Sequence, residues 1–286
     1  MMEPSQPMDF IVLNIGQATT RHEWNNRDIS SPFMRIYYVN DGKALLHLPG
    51  KDIEATGGHM YLIPAYVAHS YECTPGLDFY YLFVYQRVQN GTNLFETYDC
   101  PLEVKANEAS RLLFENYCKL YPHLHLPSQD AAHFEAHPHY REYAQTSMQM
   151  PYWERLQLHG MVEILLSYFV KHARPTEAVR DSRIPQLMEY VRLHLNENIT
   201  VGDLAAHACV TKSHLIRLFH QALGITPLQY VLRKKVQHAQ RLLLATDLSV
   251  KEIAHKVGFD DVSYFIRLFR KSLGFTPQEY RIKLIG

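Results

Sequence analysis

Two arginines, Arg217 and Arg267, sit 50 residues apart inside stretches that are nearly the same. IRLFHQALGITPLQY (216–230) and IRLFRKSLGFTPQEY (266–280) agree at nine of 15 positions. Next to them lie further polar side chains: Lys212, Ser213 and His214 in the first copy, Ser263 and Tyr264 in the second. A guanidinium can grip a guanine edge with two parallel N–H bonds, and side chains of this kind, carried on a helix, can reach into a major groove.

These side chains need elements to carry them. Set side by side, ITVGDLAAHACVTKSHLIRLF (199–219) and LSVKEIAHKVGFDDVSYFIRLF (248–269) extend the repeat, with one extra residue in the second copy before Ser263. Thr200 and Ser249 stand where an N-cap belongs, and Asp203 and Glu252, three residues on, complete capping boxes. Leu204-Ala205 and Ile253-Ala254 form the apolar face of a short first helix. Cys209-Val210 and Gly258-Phe259 fall in a turn. A second helix follows, with Leu215, Leu218 and Phe219, or Phe265, Leu268 and Phe269, at the spacing of one buried face. Each copy is therefore a helix-turn-helix. Gly224 and Gly274 end the second helices, and Thr226-Pro227 and Thr276-Pro277 start new ones. Residues 227–246 contain no helix breaker and predict one rod about 28 Å long, enough to hold two reading helices roughly one duplex turn, ~34 Å, apart.

Charge agrees with a polyanionic partner. The whole chain is neutral, with 29 basic and 29 acidic residues among 286, yet 184–286 hold 14 Lys and Arg against 8 Asp and Glu. Lys212, Arg233, Lys234, Lys235, Arg270 and Lys271 are the candidate phosphate contacts.

The first half reads differently. FMRIYYV (33–39), KALLHL (43–48), HMYLIPA (59–65) and DFYYLFVY (78–85) are aromatic and β-branched and are separated by turn clusters, which predicts an antiparallel barrel or sandwich. Residues 107–121 and 152–173 switch to helical spacing and predict amphipathic helices packed on the barrel or on a second subunit. Five histidines fall in 121–143. His133, His137 and His139 are spaced so that they could converge on an ion, but no Asp, Glu or Cys is placed to complete a tetrahedral set, which favours a polar loop. Residues 171–185, polar and bounded by prolines, read as a linker. The expected division is thus 1–173, 174–185 and 186–286, with helix-turn-helix units at about 199–222 and 248–272. No leader or membrane-spanning run is present in the sequence, so a cytoplasmic location is expected. The four cysteines, without a C-x-x-C pair, are expected to be buried reduced thiols.

Residues 186–286 resemble the double helix-turn-helix DNA-binding domain of the AraC/XylS family of transcription regulators. Ala254, Gly258, Phe259, Ser263, Phe265, Arg267, Phe269, Arg270, Gly274, Thr276, Pro277, Tyr280 and Arg281 fill that family's signature in order. The resemblance implies base contacts at Ser213, Ile216 and Arg217 and at Ser263, Tyr264 and Arg267. The first half is similar to the family's cupin-like effector domain. GHMYLIPAYVAHSY (58–71) looks like the second cupin motif through Gly58, Pro64 and His69, although Tyr66 replaces a glycine and Cys73 an asparagine. The first motif's His-x-His pair is missing, with only His47 nearby. That departure favours a pocket without metal or other cofactor, lined by Trp24, Arg35, His47, His69 and Tyr71, for a small effector such as a sugar or a small carboxylate. The fold implied is multidomain α+β, a cupin-like antiparallel barrel with appended helices followed by an all-α double helix-turn-helix. The function implied is a homodimeric regulator, an activator, with promoter DNA and RNA polymerase as partners. The alternatives are a cupin-type metal-dependent enzyme in the barrel, or a barrel that serves dimerisation only.

Overall fold

The computed structural model describes residues 9–86, 94–127, 140–176 and 181–285. The chain divides into two compact units: the described residues of 7–89 and 100–173 form one, and those of 90–99 and 174–283 the other.

The first unit is built on two antiparallel sheets. β1 (Phe10–Thr19), β3 (Met34–Asp41), β6 (His59–Ile63), β8 (Asp78–Gln86) and β10 (Glu103–Lys105) form one in the order β1-β8-β3-β6-β10. β2 (Trp24–Ile29), β4 (Lys43–Leu48), β5 (Lys51–Thr56) and β7 (His69–Cys73) form the other in the order β2-β7-β4-β5. β3 and β8 lie inside the larger sheet and are buried on both faces, which is why their sequences run apolar and aromatic without alternation. One face turns toward the smaller sheet: the Tyr61 hydroxyl accepts from the Thr56 amide at 2.9 Å. The opposite face is covered by helices, with Phe114 of α2 (Glu108–Leu120) 6.0 Å from the Tyr38 ring and 5.9 Å from the Tyr80 ring. α3 (Tyr140–Gln149) and α4 (Tyr152–Val170) complete that layer, and α4 buries Leu158, Met161, Val162, Leu165, Leu166 and Phe169, the stripe that its spacing predicts. This is the expected barrel with appended helices. The segments of β1, β2, β5, β7 and α3 are not singled out by the sequence pattern. At Tyr66, where the cupin motif has glycine, the tyrosine adopts glycine's conformation at φ 66°.

The second unit is helical. α5 (Arg183–Leu193) leads into α6 (Val201–His207) and α7 (Lys212–Leu223). α8 (Pro227–Ala245) is the rod, and α9 (Val250–Lys256), α10 (Val262–Leu273) and α11 (Pro277–Ile285) follow. The capping boxes Thr200/Asp203 and Ser249/Glu252 form as the sequence predicts, and Gly224 and Gly274 cap α7 and α10 at φ 68° and 82°. The first core gathers Ile184, Leu187, Val191, Leu204, Leu215, Phe219 and Tyr230. The second is aromatic: Phe259, Phe265, Phe269 and Tyr280 follow one another at 5.4, 5.8 and 5.5 Å. Residues 94–99 join this unit, with α1 (Leu94–Thr97) and β9 (Tyr98–Asp99). β9 pairs with β11 (Arg174–Pro175) in the stretch that reads as linker.

Candidate nucleic-acid interface and barrel interior

The two helix-turn-helix units share a geometry below their surface. In the first, the Val210 amide donates to Ala205 O at 2.9 Å; in the second, Phe259 donates to Ala254 O at the same distance. Each bond closes the turn after one left-handed residue, Cys209 at φ 52° and Gly258 at φ 69°. The second helix of each pair is then capped from its own turn, α7 by Thr211 and α10 by Asp261, whose carboxylate accepts from both Ser263 and Tyr264. The extra residue read from the alignment lies in this second turn.

Burial of Leu215, Leu218 and Phe219, or of Phe265 and Phe269, turns the other side of each helix outward. Ser213, Ile216 and Arg217 on α7 and Ser263, Tyr264 and Arg267 on α10 are all exposed. Arg267 makes no hydrogen bond to the protein among the described residues, whereas Arg217 lies 3.5 Å from His214 Nδ1. The other ring nitrogen of His214 lies 3.3 Å from Arg183. Arg183 in turn grips Asp181 through two bonds of 2.9 and 2.7 Å, which hold that carboxyl down to about 2. This chain from linker to reading helix had no signal in the sequence beyond the charges themselves.

The candidate phosphate contacts separate into two groups. Lys212, Arg233, Arg270 and Lys271 are exposed. Lys234 and Lys235 correct the sequence reading. Lys234 is 16% exposed and its ammonium contacts Glu96 of α1, so the charge is already paired. Lys235 is 3% exposed and donates to three backbone carbonyls, which takes it off the surface. A run of three basic residues on a helix cannot point one way, because successive side chains are turned by about 100°.

In the barrel, Arg35 is buried at 1% exposure on the face that turns toward the smaller sheet. Its guanidinium lies 5.4 and 5.0 Å from the Phe33 and Phe83 rings and donates to Ser31 Oγ at 2.8 Å. His69 and Tyr71 are buried on β7, and the Tyr71 hydroxyl accepts from Asn26 at 3.4 Å. His47 is a second correction. It alternates with the buried Ala44, Leu46 and Leu48, and so lies on the outer face of β4, where it meets Asp52 at 2.9 Å and Glu72 at 3.7 Å. Trp24 opens β2; its side chain lies outside the described residues, as do His133, His137 and His139. Among the described residues no cluster of three metal-ligating side chains forms, and no helix is long and apolar enough to cross a membrane. Cys73, Cys100 and Cys118 are buried, and burial pushes the Cys73 and Cys118 thiols up to about 12; Cys209 is exposed, against expectation.

One chain thus joins a unit of two antiparallel sheets, with Arg35, His69 and Tyr71 buried in it, to a helical unit with two helix-turn-helix motifs whose second helices each leave one face exposed. Residues 16–137 match the family described as AraC-like ligand binding domain, and residues 204–283 match that described as helix-turn-helix domain. It is 31% identical over 114 residues to the arabinose operon regulatory protein of Escherichia coli, covering 40% of this chain and 39% of that one. Against the lactose operon transcription activator of Staphylococcus xylosus it is 29% identical over 104 residues, 36% of this chain and 37% of that one. The chain spans about a third of the length of the curated relatives it matches. Among solved structures, the DNA-binding domain of AdpA in complex with a target DNA is 35% identical across 34% of this chain and 88% of that one, with a TM-score of 0.34. Unsaturated fatty acid bound ToxT from Vibrio cholerae aligns over 99% of this chain and 98% of its own, at 14% identity and a TM-score of 0.53, a likeness of fold.

Proposed function

We propose that this chain is a sequence-specific DNA-binding transcription regulator in which α7 and α10 enter adjacent major grooves under the control of a small molecule held in the barrel. The observation that carries the reading is the repetition of an exposed Ser and Arg at equivalent places on two helices, Ser213 and Arg217, Ser263 and Arg267, above separately built cores. Lys212, Arg233, Arg270 and Lys271 supply phosphate contacts around them. Selection of bound duplexes from a random pool, with the full chain at near-physiological salt, is expected to enrich two short blocks about one helical turn apart. Salt-sensitive binding without sequence preference would sink the reading.

For the effector, the buried Arg35 guanidinium between two phenyl rings suits a small carboxylate better than a sugar, because a carboxylate offers the paired acceptors that a guanidinium fork matches. The fatty acid named for ToxT has that head group. Thermal-shift screening of carboxylates against sugars tests the assignment, and stabilisation by sugars alone would reverse it. The AraC family is one of regulators, and the histidine geometry points away from a cupin enzyme: His69 faces inward and His47 outward on adjacent strands, so the two cannot share an ion. For assembly, Trp153, Leu156 and Ile164 stand exposed along α4, opposite its buried stripe, with Gly160 open between them. Such a stripe suits a second copy of the same helix, which would make the protein a homodimer. Sedimentation should give a dimer for the natural chain and a monomer for Trp153→Glu/Leu156→Glu.

A further inference from the structure

The rod packs into the core of the first helix-turn-helix unit through Tyr230 and Val231 and reaches the second through Gln240, which donates to the Tyr280 hydroxyl at 2.9 Å. Lys235, the ninth of the 19 residues of α8, lies between these two anchorages and ties the units to each other directly. Its ammonium donates to Glu197 O at 2.6 Å, to Val257 O at 2.8 Å and to Gly258 O at 3.0 Å. The first carbonyl belongs to the segment between α5 and α6, beside the first unit. The other two belong to the turn of the second. An ammonium has three N–H donors, and all three are used here, the condition under which a buried charge is tolerated. The Phe259 ring lies 5.1 Å from the same nitrogen.

Gly258 shows how closely the units meet. A Cβ there would collide with Lys235 Nζ and would lie 2.7 Å from Glu197 O and 2.8 Å from the carbonyl carbon of Asn196. Glycine therefore has two reasons at this position, the left-handed turn and the approach of the first unit's backbone.

We infer that Lys235 is the positioning residue that sets both the distance and the rotational phase between the two reading helices, so that only one spacing of two half-sites is accepted. Inserting one base pair moves a half-site by about 3.4 Å along the duplex and turns it by about 35°. Bonds of 2.6 to 3.0 Å cannot follow such a displacement and remain bonds.

The inference rests on the groove reading proposed above, and the experiment separates the two. The full chain is titrated against its selected two-block duplex, against the same duplex with one base pair inserted or deleted between the blocks, and against a single block. The natural chain is expected to lose about tenfold in affinity on either change, a loss of about 1.4 kcal/mol. Lys235→Met, with single-block affinity unchanged, should bind all three two-block duplexes within about threefold. Gly258→Asn is the second variant, because Asn tolerates the left-handed turn while its Cβ opens the hub; it should lose the discrimination in the same way, and it decides the matter if Lys235→Met does not fold. A natural chain indifferent to spacing, or a folded variant that keeps the tenfold preference, overturns the inference and leaves the groove reading standing. Failure of the selection to enrich any sequence removes the groove reading and this inference with it.

Discussion

The first helix-turn-helix unit and the second present the same reading face from different supports. In the first, Arg217 meets His214, which meets Arg183, which holds Asp181 at the edge of the linker stretch. In the second, Arg267 is exposed and takes part in no such chain among the described residues, and the core beneath its helix is a row of four aromatic rings that meet tilted or edge-to-face. Equivalent turns are also filled differently, by Cys209 in one and Gly258 in the other. The exposed Ser and Arg are thus the same in both units, while the scaffold beneath them differs. The first unit is wired toward the linker, and the second is held to the first through Lys235.

The largest way to break the comparison is through the cores. Phe219 and Phe269 occupy equivalent, fully buried sites, yet among the described residues Phe219 has one ring partner, Tyr230, met edge-on, while Phe269 meets both Phe265 and Tyr280. Each Phe→Ala change is expected to cost about 3–5 kcal/mol, with Phe269→Ala the more damaging by about 0.5–1.5 kcal/mol for its extra ring pair. Denaturant unfolding read out by hydrogen exchange in each unit measures both, and equal losses would contradict the difference drawn between the cores.

Next comes acid. His238 on the rod has no hydrogen-bond partner for Nδ1 among the described residues, and burial, aided by Arg241, Lys256 and Lys235, pushes its imidazole down to about 4. The unfolded imidazole takes up its proton near 6.5, so the unfolded state binds more protons between these values. Stability should therefore fall as pH drops from 6.5 to 4, by up to about 3 kcal/mol, and this part should disappear in His238→Gln. Identical pH profiles for the two proteins would refute the assignment.

At the reading faces, Arg267→Ala should cost about 1–3 kcal/mol and relax one base position. Arg270→Ala should weaken all duplexes alike and reduce the salt slope by about one. Binding isotherms across a single-substitution operator panel at several salt concentrations distinguish the two. An Arg267→Ala variant with unchanged base preference would remove that helix from the groove.

The smallest effect sharpens the turn comparison. Cys209 at φ 52° carries the strain that Gly258 avoids, so Cys209→Gly should stabilise the first unit by about 0.5 kcal/mol once glycine's greater unfolded-state entropy is deducted. A melt showing destabilisation would mean that the thiol packs usefully where it is.

The double helix-turn-helix was legible because its signals are local. Thr200 and Asp203 are three residues apart, Gly224 ends its own helix, and Phe219 lies within one turn of Leu215, so caps, stops and buried faces all appear in short windows. The barrel was legible only in its most apolar strands; β5 and β7, with exposed charges alternating against buried residues, carried no comparable run. For His47 a signal did exist. Alternation through Lys43, Ala44, Leu45, Leu46, His47 and Leu48 puts the histidine with the lysine, away from the core.

Spacing, capping and turn chemistry within a few residues were thus enough to specify two reading helices on a rod, because these effects act between near neighbours along the chain. The fates of Arg233, Lys234 and Lys235, three adjacent cations that look alike in one dimension, belong to the tertiary structure. One stays in water, one meets Glu96, and one is buried on carbonyls 38 and 23 residues away, at Glu197 and Gly258. Burial and pairing depend on which distant backbone arrives beside a side chain, and only the packed molecule brings those groups together.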